Sequence, residues 1–172
     1  MTKMKSSQLH GMDESQFVEA IGHVFERSPW IARKAYAQRP FDSVVALHKK
    51  LIETMRAATP DEKLALIRAH PDLVGKMVSD EALTPESAEE QRAAGLAALS
   101  PREVDLFQSY NAQYRARFGF PFVICARENK KDAILAAFPA RLQNNHEQEM
   151  EAALVEIAKI ARLRLIDAIQ EE

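Results

Sequence analysis

The residues of this sequence best suited to chemistry form a short run in which a histidine stands directly before a proline, His70-Pro71-Asp72. Pro71 lacks a backbone N–H and disfavours a helical conformation for the residue before it, so the preceding helix is expected to end at His70. The imidazole is then held at a fixed corner with the Asp72 carboxylate close by. Because histidine titrates near neutral pH, His70 is a candidate general acid or base. Capping of helix carbonyls is the structural alternative.

An arginine near the end of the sequence interrupts an apolar helix face, since Arg164 falls in register with hydrophobic neighbours. The apolar members of that face are Met150, Leu154, Ile157, Ala161 and Ala168. An unpaired buried guanidinium is costly, so Arg164 must meet a carboxylate, carbonyl groups or a bound anion. A structural ion pair, or a side chain that reaches solvent, is the simpler alternative.

Polar residues between Thr84 and Gly95 form a third candidate group. Ser87 and Glu90 have the spacing of a capping box, which would give both a structural role. Gln91 has an amide that can donate and accept hydrogen bonds at once, and it lies on a face of small side chains that a ligand could approach closely. The small residues of that face are Ala88, Ala94, Gly95 and Ala98. Glu90 and Gln91 are therefore candidate binding residues, with capping as the alternative.

The elements that must position these residues are almost all helical. Thr59-Pro60-Asp61-Glu62 and Ser100-Pro101-Arg102-Glu103 each supply a cap, a proline at the first helical position and a reciprocal glutamate. The sequence predicts an all-α, single-domain bundle of about eight helices over residues 1–172, with residues 1–11 a candidate disordered segment. The predicted helices run over 13–25, 28–37, from Asp42, from Thr59, from Pro85 or Ser87 to Leu99, 101–117, 131–142 and 146–169.

One stretch, Phe120–Ala126, is predicted to be extended because it is rich in aromatic and β-branched residues and contains a proline. An extended segment in a helical protein has no sheet partner, so its amides and carbonyls must pair with side chains, water or a ligand. A planar, amide-rich ligand would satisfy them. A core-filling connector with packed Phe120 and Phe122 is the common alternative.

Composition narrows the function classes. The 172 residues include 23 basic and 25 acidic side chains, and a formal net charge of -2 does not favour nucleic-acid binding. No apolar run approaches the roughly 20 residues that span a bilayer, and the first ten residues are polar, so neither membrane insertion nor secretion is expected. Cys125 is the only cysteine. A lone cysteine excludes an internal disulfide and fits a cytoplasmic protein. The spacing of the histidines does not predict a metal site.

Together with their flanking motifs, these residues resemble the OHCU decarboxylase family, whose substrate is 2-oxo-4-hydroxy-4-carboxy-5-ureidoimidazoline (OHCU). The order and spacing of the matching motifs extend through nearly the whole chain, which makes the resemblance specific. Glu81-Ala82 stands where the family commonly has a glycine, a difference expected to affect a loop. The matching motifs are Ser28-Pro29-Trp30, Arg39-Pro40-Phe41, His70-Pro71-Asp72-Leu73 with Gly75-Lys76, Leu83-Thr84, Ser87, Glu90-Gln91, Gly95-Leu96, Tyr114 to Phe122, Ile134, Phe138, Arg141-Leu142, Asn144, and Ile157 through Leu163-Arg164-Leu165.

The resemblance implies a helical fold, a homodimer, and a decarboxylation to (S)-allantoin in purine catabolism that needs no metal or other cofactor. It implies that His70 is the catalytic acid or base and that Glu90 and Arg164 complete the essential polar set. Residues implied to line the substrate pocket are Pro71, Ser87, Ala88, Glu89, Gln91, Phe122, Val123, Ile124, Cys125 and Ala126. Two other functions remain open: a related lyase or hydrolase acting on another ureide, and a helical interaction module in which Arg164 and Glu90 form a structural pair.

Overall fold

The computed structural model describes residues 3–74 and 83–170, and the helical prediction is confirmed there. Two short strands, β1 (Met4–Lys5) and β2 (Ile169–Gln170), form a parallel pair. Gly75-Lys76 and Glu81-Ala82, which enter the family resemblance, lie outside the described residues. The α-helices of the described part are α1 (Glu14–Ile21), α2 (Trp30–Ala35), α3 (Val44–Arg56), α4 (Pro60–Arg68), α5 (Pro85–Ala93), α6 (Pro101–Phe118), α7 (Lys131–Arg141) and α8 (His146–Ala168).

The starts of α4 and α6 are confirmed together with their caps. Thr59 and Glu62 form a reciprocal capping box at α4, and Ser100 and Glu103 form another at α6. The α6 helix ends at Gly119, which adopts the left-handed conformation with φ of 75° that glycine tolerates without strain. Both ends of the helix are therefore specified by local sequence.

The helix α5 begins at Pro85, one of the two predicted starts, and ends earlier than predicted. Its N-cap is Thr84, whose side chain accepts a hydrogen bond from the Ser87 N–H at 3.3 Å. The capping-box interpretation of Ser87 and Glu90 was wrong, because the cap lies three residues earlier and Pro85 occupies the first helical turn. The helix ends at Ala93 instead of Leu99, just before Gly95, whose φ is 85°.

The structure describes residues 3–11 of the N-terminal segment for which disorder is a candidate. Ser6–Gly11 forms a 3-10 helix in which Leu9 is buried. The Lys3 ammonium donates to the Ile166 carbonyl at 2.7 Å, and His10 Nε2 lies 3.0 Å from the Phe41 carbonyl. Burial of Leu9 and these contacts with residues distant in sequence connect the segment to the rest of unit 1.

The described residues divide between two compact units. Unit 1 comprises Met1–Ala69 and Ala158–Glu172, unit 2 comprises His70–Ile157, and α8 contributes to both. In unit 1, the Phe17 and Phe41 rings stack with centroids 5.6 Å apart. In unit 2, Phe122 and Phe138 stack at 3.9 Å. None of the described helices combines the length and apolar character needed to cross a membrane.

Candidate active site

His70 lies immediately after α4, at the corner the sequence predicts. The helix ends at Arg68, and the N–H of its C-cap, Ala69, still bonds to the Ala65 carbonyl. Pro71 then prevents continuation of the helix. The His70 side chain is buried, with 6% of its surface exposed. Its orientation is therefore constrained by packing, as a general acid or base requires.

The loop after His70 is held by side chains from α5 and α6. The Asp72 carboxylate accepts a hydrogen bond from Arg115 Nε, which lies 2.9 Å from Oδ1 and 2.8 Å from Oδ2. The Leu73 carbonyl accepts a 2.7 Å hydrogen bond from Asn111 Nδ2. Asp72 and Leu73, which are adjacent in the loop, are therefore each bonded to a different side chain of α6.

The next loop residue, Val74, donates its N–H to Gln91 Oε1 at 3.2 Å. This contact brings Gln91, a predicted pocket residue, onto the loop that follows His70. Val74 has a φ of 59°, a left-handed conformation that β-branched residues rarely adopt. The loop therefore keeps a conformation that its own sequence disfavours.

The other predicted pocket residues of α5 differ in exposure. Ser87 is buried and Glu90 is half-buried, whereas Ala88 and Glu89 are exposed. Glu89 forms an ion pair with Arg92 on the surface of the helix. Since Thr84 is the N-cap, capping does not explain Glu90.

The extended segment obtains several of its backbone hydrogen bonds from side chains, as predicted. Residues 121–125 carry no helix or strand, while Ala126 already begins the 3-10 helix Ala126–Glu128. The Val123 carbonyl accepts from Arg141 Nη1 at 2.5 Å, and the Cys125 N–H donates to Glu156 Oε2 at 2.8 Å. Within the described part of the chain, the backbone N–H and C=O of Ile124 have no hydrogen-bond partner.

A buried polar network lies behind this segment and fixes Arg141. The Glu149 carboxylate, 0% exposed, accepts hydrogen bonds from the Tyr114 hydroxyl, from Arg141 Nε at 3.0 Å and from Asn144 Nδ2 at 2.7 Å. The Arg141 guanidinium also lies over the Phe122 ring, 4.3 Å from its centroid. Burial, together with the hydrogen bond to Glu149, raises the pKa of Tyr114 well above its ordinary value, so its hydroxyl stays a donor.

The charge of Glu90 on α5 acts on Cys125 of the extended segment. Burial raises the pKa of the Cys125 thiol, a backbone hydrogen bond with Glu128 opposes part of that rise, and the charges of Glu128, Glu156 and Glu90 add to it. Glu90 is thus close enough to influence Cys125, and α5 packs against the 3-10 helix that follows this residue. Cys125 remains a protonated thiol and not a nucleophile.

Arg164 belongs to unit 1, where it has the carboxylate partner that its position requires. Arg164 Nη2 lies 3.1 Å from Glu26 Oε2, and Arg164 Nη1 donates to the His23 carbonyl at 3.4 Å. The side chains of Arg164 and Glu26 are 3% and 2% exposed. A buried pair of this kind avoids the cost of an isolated charge.

Sequence reasoning missed the residues that support the predicted site, namely Asn111, Arg141 and Glu156. Asn111 is the one that a pattern could have revealed, because it is a polar residue on the buried face of α6 beside Phe107 and Tyr114. Glu156 is half-buried and carries no such signal, whereas Arg141, also half-buried, was marked only by its place in the matching Arg141-Leu142 motif. Among the residues that the structure describes, no three His, Cys, Asp or Glu side chains are grouped so as to hold a metal ion.

Residues 10–166 match the family model described as OHCU decarboxylase. The chain belongs to the OHCU decarboxylase family. A family relative from Halalkalicoccus jeotgali, named 2-oxo-4-hydroxy-4-carboxy-5-ureidoimidazoline decarboxylase, is 38% identical over 96% of this chain and 92% of its own length. A protein of the same name from Xenopus laevis is 36% identical over 98% and 97%. The crystal structure of an (S)-allantoin synthase superposes with a TM-score of 0.77 and 26% identity, covering 97% of this chain and 54% of that one.

Proposed function

We propose that this protein is a carboxy-lyase that decarboxylates OHCU to (S)-allantoin in urate degradation. The observation that carries the proposal is membership of the OHCU decarboxylase family across residues 10–166. The chain also has His70, Glu90 and Arg164 at the positions where the family motifs place the essential polar residues. The named relatives match nearly over their full lengths, which supports the same activity here.

The substrate supplies its own electron sink. Its carboxylate is attached to a ring carbon that also bears a hydroxyl and adjoins a ring imine. When the bond to the carboxylate breaks and CO2 leaves, the electron pair moves toward the imine nitrogen, and a proton there gives a neutral enol. Loss of the enol hydroxyl proton and addition of a proton to the ureido-bearing carbon give allantoin. One face of that carbon must be protonated to give the (S) product.

The three polar residues then have separate roles. His70 exchanges a proton with the substrate hydroxyl or the enol, for which a titrating side chain of fixed direction is suited. Glu90 orients His70 or the ureido group. Arg164 binds the polar ring substituents and stabilises developing negative charge. The remaining pocket residues hold the ring, and the backbone groups of Ile124, which have no hydrogen-bond partner among residues 3–74 and 83–170, are suited to an amide-rich ligand.

The test is circular dichroism at the allantoin wavelength while urate is converted by an oxidase and a hydrolase, with and without this protein. We expect optically active allantoin to form rapidly with the wild type. His70→Ala should lower kcat/KM by at least about 100-fold, because general acid–base catalysis contributes on that scale. His48→Ala is the matched control, since His48 bonds to the Ala158 carbonyl at 2.9 Å and has no proposed catalytic role.

Slow, racemic allantoin in every sample, from folded protein, would contradict the proposal and favour the interaction module. Rapid turnover of OHCU to a product other than (S)-allantoin would favour a lyase or hydrolase acting on another ureide. Full activity of His70→Ala with correct product chirality would leave the reaction in place and remove His70 from it.

We further infer three properties of the whole protein. A homodimer follows from the family resemblance, and sedimentation equilibrium tests it against the chain mass of 19.4 kDa. The cytoplasm is the inferred location, supported by the single free cysteine, Cys125. Residues 1–172 are inferred to form a single domain, since the match over residues 10–166 includes parts of both compact units.

A further inference from the structure

We propose that Asn111 and Arg115 are positioning residues that fix the chain directly after His70 and so set the direction of its imidazole. This inference rests on the proposed function, in which His70 is the catalytic acid or base. Both residues lie on α6, four positions apart, and therefore on the same helix face. They reach adjacent loop residues, Leu73 and Asp72.

The loop needs external support because its backbone is strained. Val74 has a φ of 59°, where a β-branched side chain meets backbone atoms unfavourably. Left to its own preference, Val74 would return to a negative φ and move the chain on either side of it. Bonds from Asn111 and Gln91 to the backbone of Leu73 and Val74 oppose that movement.

Asn111 is poorly explained as a stabilising residue. Its side chain is 6% exposed, and its Nδ2 donates to the Leu73 carbonyl at 2.7 Å. Its other polar atom, Oδ1, is buried without a hydrogen-bond partner in the described parts of the chain. An unsatisfied buried acceptor costs stability, and a leucine of similar shape would remove it while leaving the Leu73 carbonyl without this donor, so the two changes offset each other and asparagine brings little net stability to unit 2. The role of the Asn111 side chain is therefore to hold the Leu73 carbonyl, and with it the loop, in place.

The consequence for the reaction lies in the chemical step. His70 is separated from Leu73 by Pro71 and Asp72 alone, and the ring of Pro71 restricts the backbone between them. A shift at Leu73 is therefore passed on to His70. Since proton transfer depends steeply on geometry, such a shift lowers kcat, whereas substrate binding relies on other groups and KM changes little.

The decisive variant is Asn111→Leu, assayed for thermal unfolding, kcat and KM. We expect Tm to change little, because removal of the unsatisfied Oδ1 offsets loss of the donor to the Leu73 carbonyl. We expect KM to change by less than about twofold and kcat to fall about 10- to 100-fold, the range expected for misplaced catalytic groups. Arg115→Gln is a second variant that does not disturb the core, since 45% of the Arg115 side chain is exposed. It should lower kcat by about three- to tenfold with KM unchanged.

Thr54→Val is the matched control, because it also removes a buried polar group from the interior. Thr54 is 8% exposed, accepts from Gln38 Nε2 at 2.9 Å and donates to the Lys50 carbonyl at 2.8 Å. We expect this variant to lower Tm and to keep the wild-type kcat. A kcat loss as large as that of Asn111→Leu would overturn the positioning role.

A rescue variant tests whether the loop carries the effect. Val74→Asn replaces the strained valine with a residue that tolerates a positive φ. Combined with Asn111→Leu, it should recover a substantial part of the lost kcat, which a general packing defect would not do. Absence of any recovery would overturn the proposal.

Failure of this inference is separable from failure of the proposed function. If His70→Ala keeps full activity, the assignment of His70 fails and the positioning role fails with it. If His70→Ala is inactive while both Asn111→Leu and Arg115→Gln keep the wild-type kcat, only the positioning role is overturned.

Discussion

Arg164 keeps its charge inside the protein through a pair with Glu26 at 3.1 Å, and both side chains are almost fully buried. Removing one member leaves the other charged and without this partner in a poorly solvating environment. Removing both members and filling the space with apolar side chains avoids that cost. The structural role of Arg164 can therefore be separated from its proposed role in substrate binding.

Glu26→Leu should lower the free energy of unfolding by about 3–5 kcal/mol, because it leaves the buried guanidinium without its carboxylate. The double variant Glu26→Leu/Arg164→Met should regain most of that loss and remain unable to form (S)-allantoin rapidly. Urea denaturation and the dichroism assay on the same samples provide the two measurements. A stable double variant with wild-type activity would show that Arg164 serves the fold alone.

Helix starts were largely predictable, whereas the contacts of the helices were not. Thr59 and Ser100 are local signals, since each needs only a glutamate three residues later and a proline beside it. The same reasoning left two starts open for α5, Pro85 and Ser87, because Ser87 and Glu90 have the spacing of a capping box inside a helix that Thr84 already caps. Local spacing alone could not distinguish these two possibilities.

The start of α6 carries an electrostatic contact that makes its stability depend on pH. A hydrogen bond from Lys131, followed by those from the Ser100 backbone and side chain, lowers the pKa of Glu103 from 4.5 to about 2. A carboxyl whose pKa is lower in the folded than in the unfolded protein stabilises the fold at pH values above its pKa in the unfolded protein. That stability is lost as the pH falls from about 4.5 toward 2.

Glu103→Gln should therefore lower Tm at pH 6, and the difference from wild type should shrink below pH 4.5 and vanish near pH 2. Glutamine can still accept the capping hydrogen bond from Ser100, so the change isolates the charge. Thermal unfolding across this pH range is the measurement. Lys131→Met should show the same pH trend, and a Tm difference independent of pH in both variants would contradict the argument.

The site depends on contacts between residues that are far apart in sequence, which explains how far it could be predicted. The sequence showed that Arg164 needs a partner and that residues 120–126 need hydrogen bonds from elsewhere. It could not name Glu26, which is 138 residues from Arg164, or Glu156, which is 31 residues from Cys125. Such pairings arise from packing, and no local propensity encodes them.

The chain contains one tryptophan and one cysteine, and these residues report on different units. Trp30 lies in unit 1 and Cys125 in unit 2, while α8 is a helix of 23 residues that contributes to both units. Because helix formation is cooperative, loss of either part of α8 should weaken the other part. Both units are therefore expected to unfold together.

In a urea titration, Trp30 fluorescence and pulsed labelling of the Cys125 thiol should give the same midpoint, the usual test of a two-state transition. The label reports unfolding because Cys125 is 1% exposed and burial raises the pKa of its thiol, so the native protein reacts slowly. Cys125→Ala gives the background of the labelling signal. Two separate midpoints would mean that the units unfold independently, and residues 1–172 would then not be one cooperative domain.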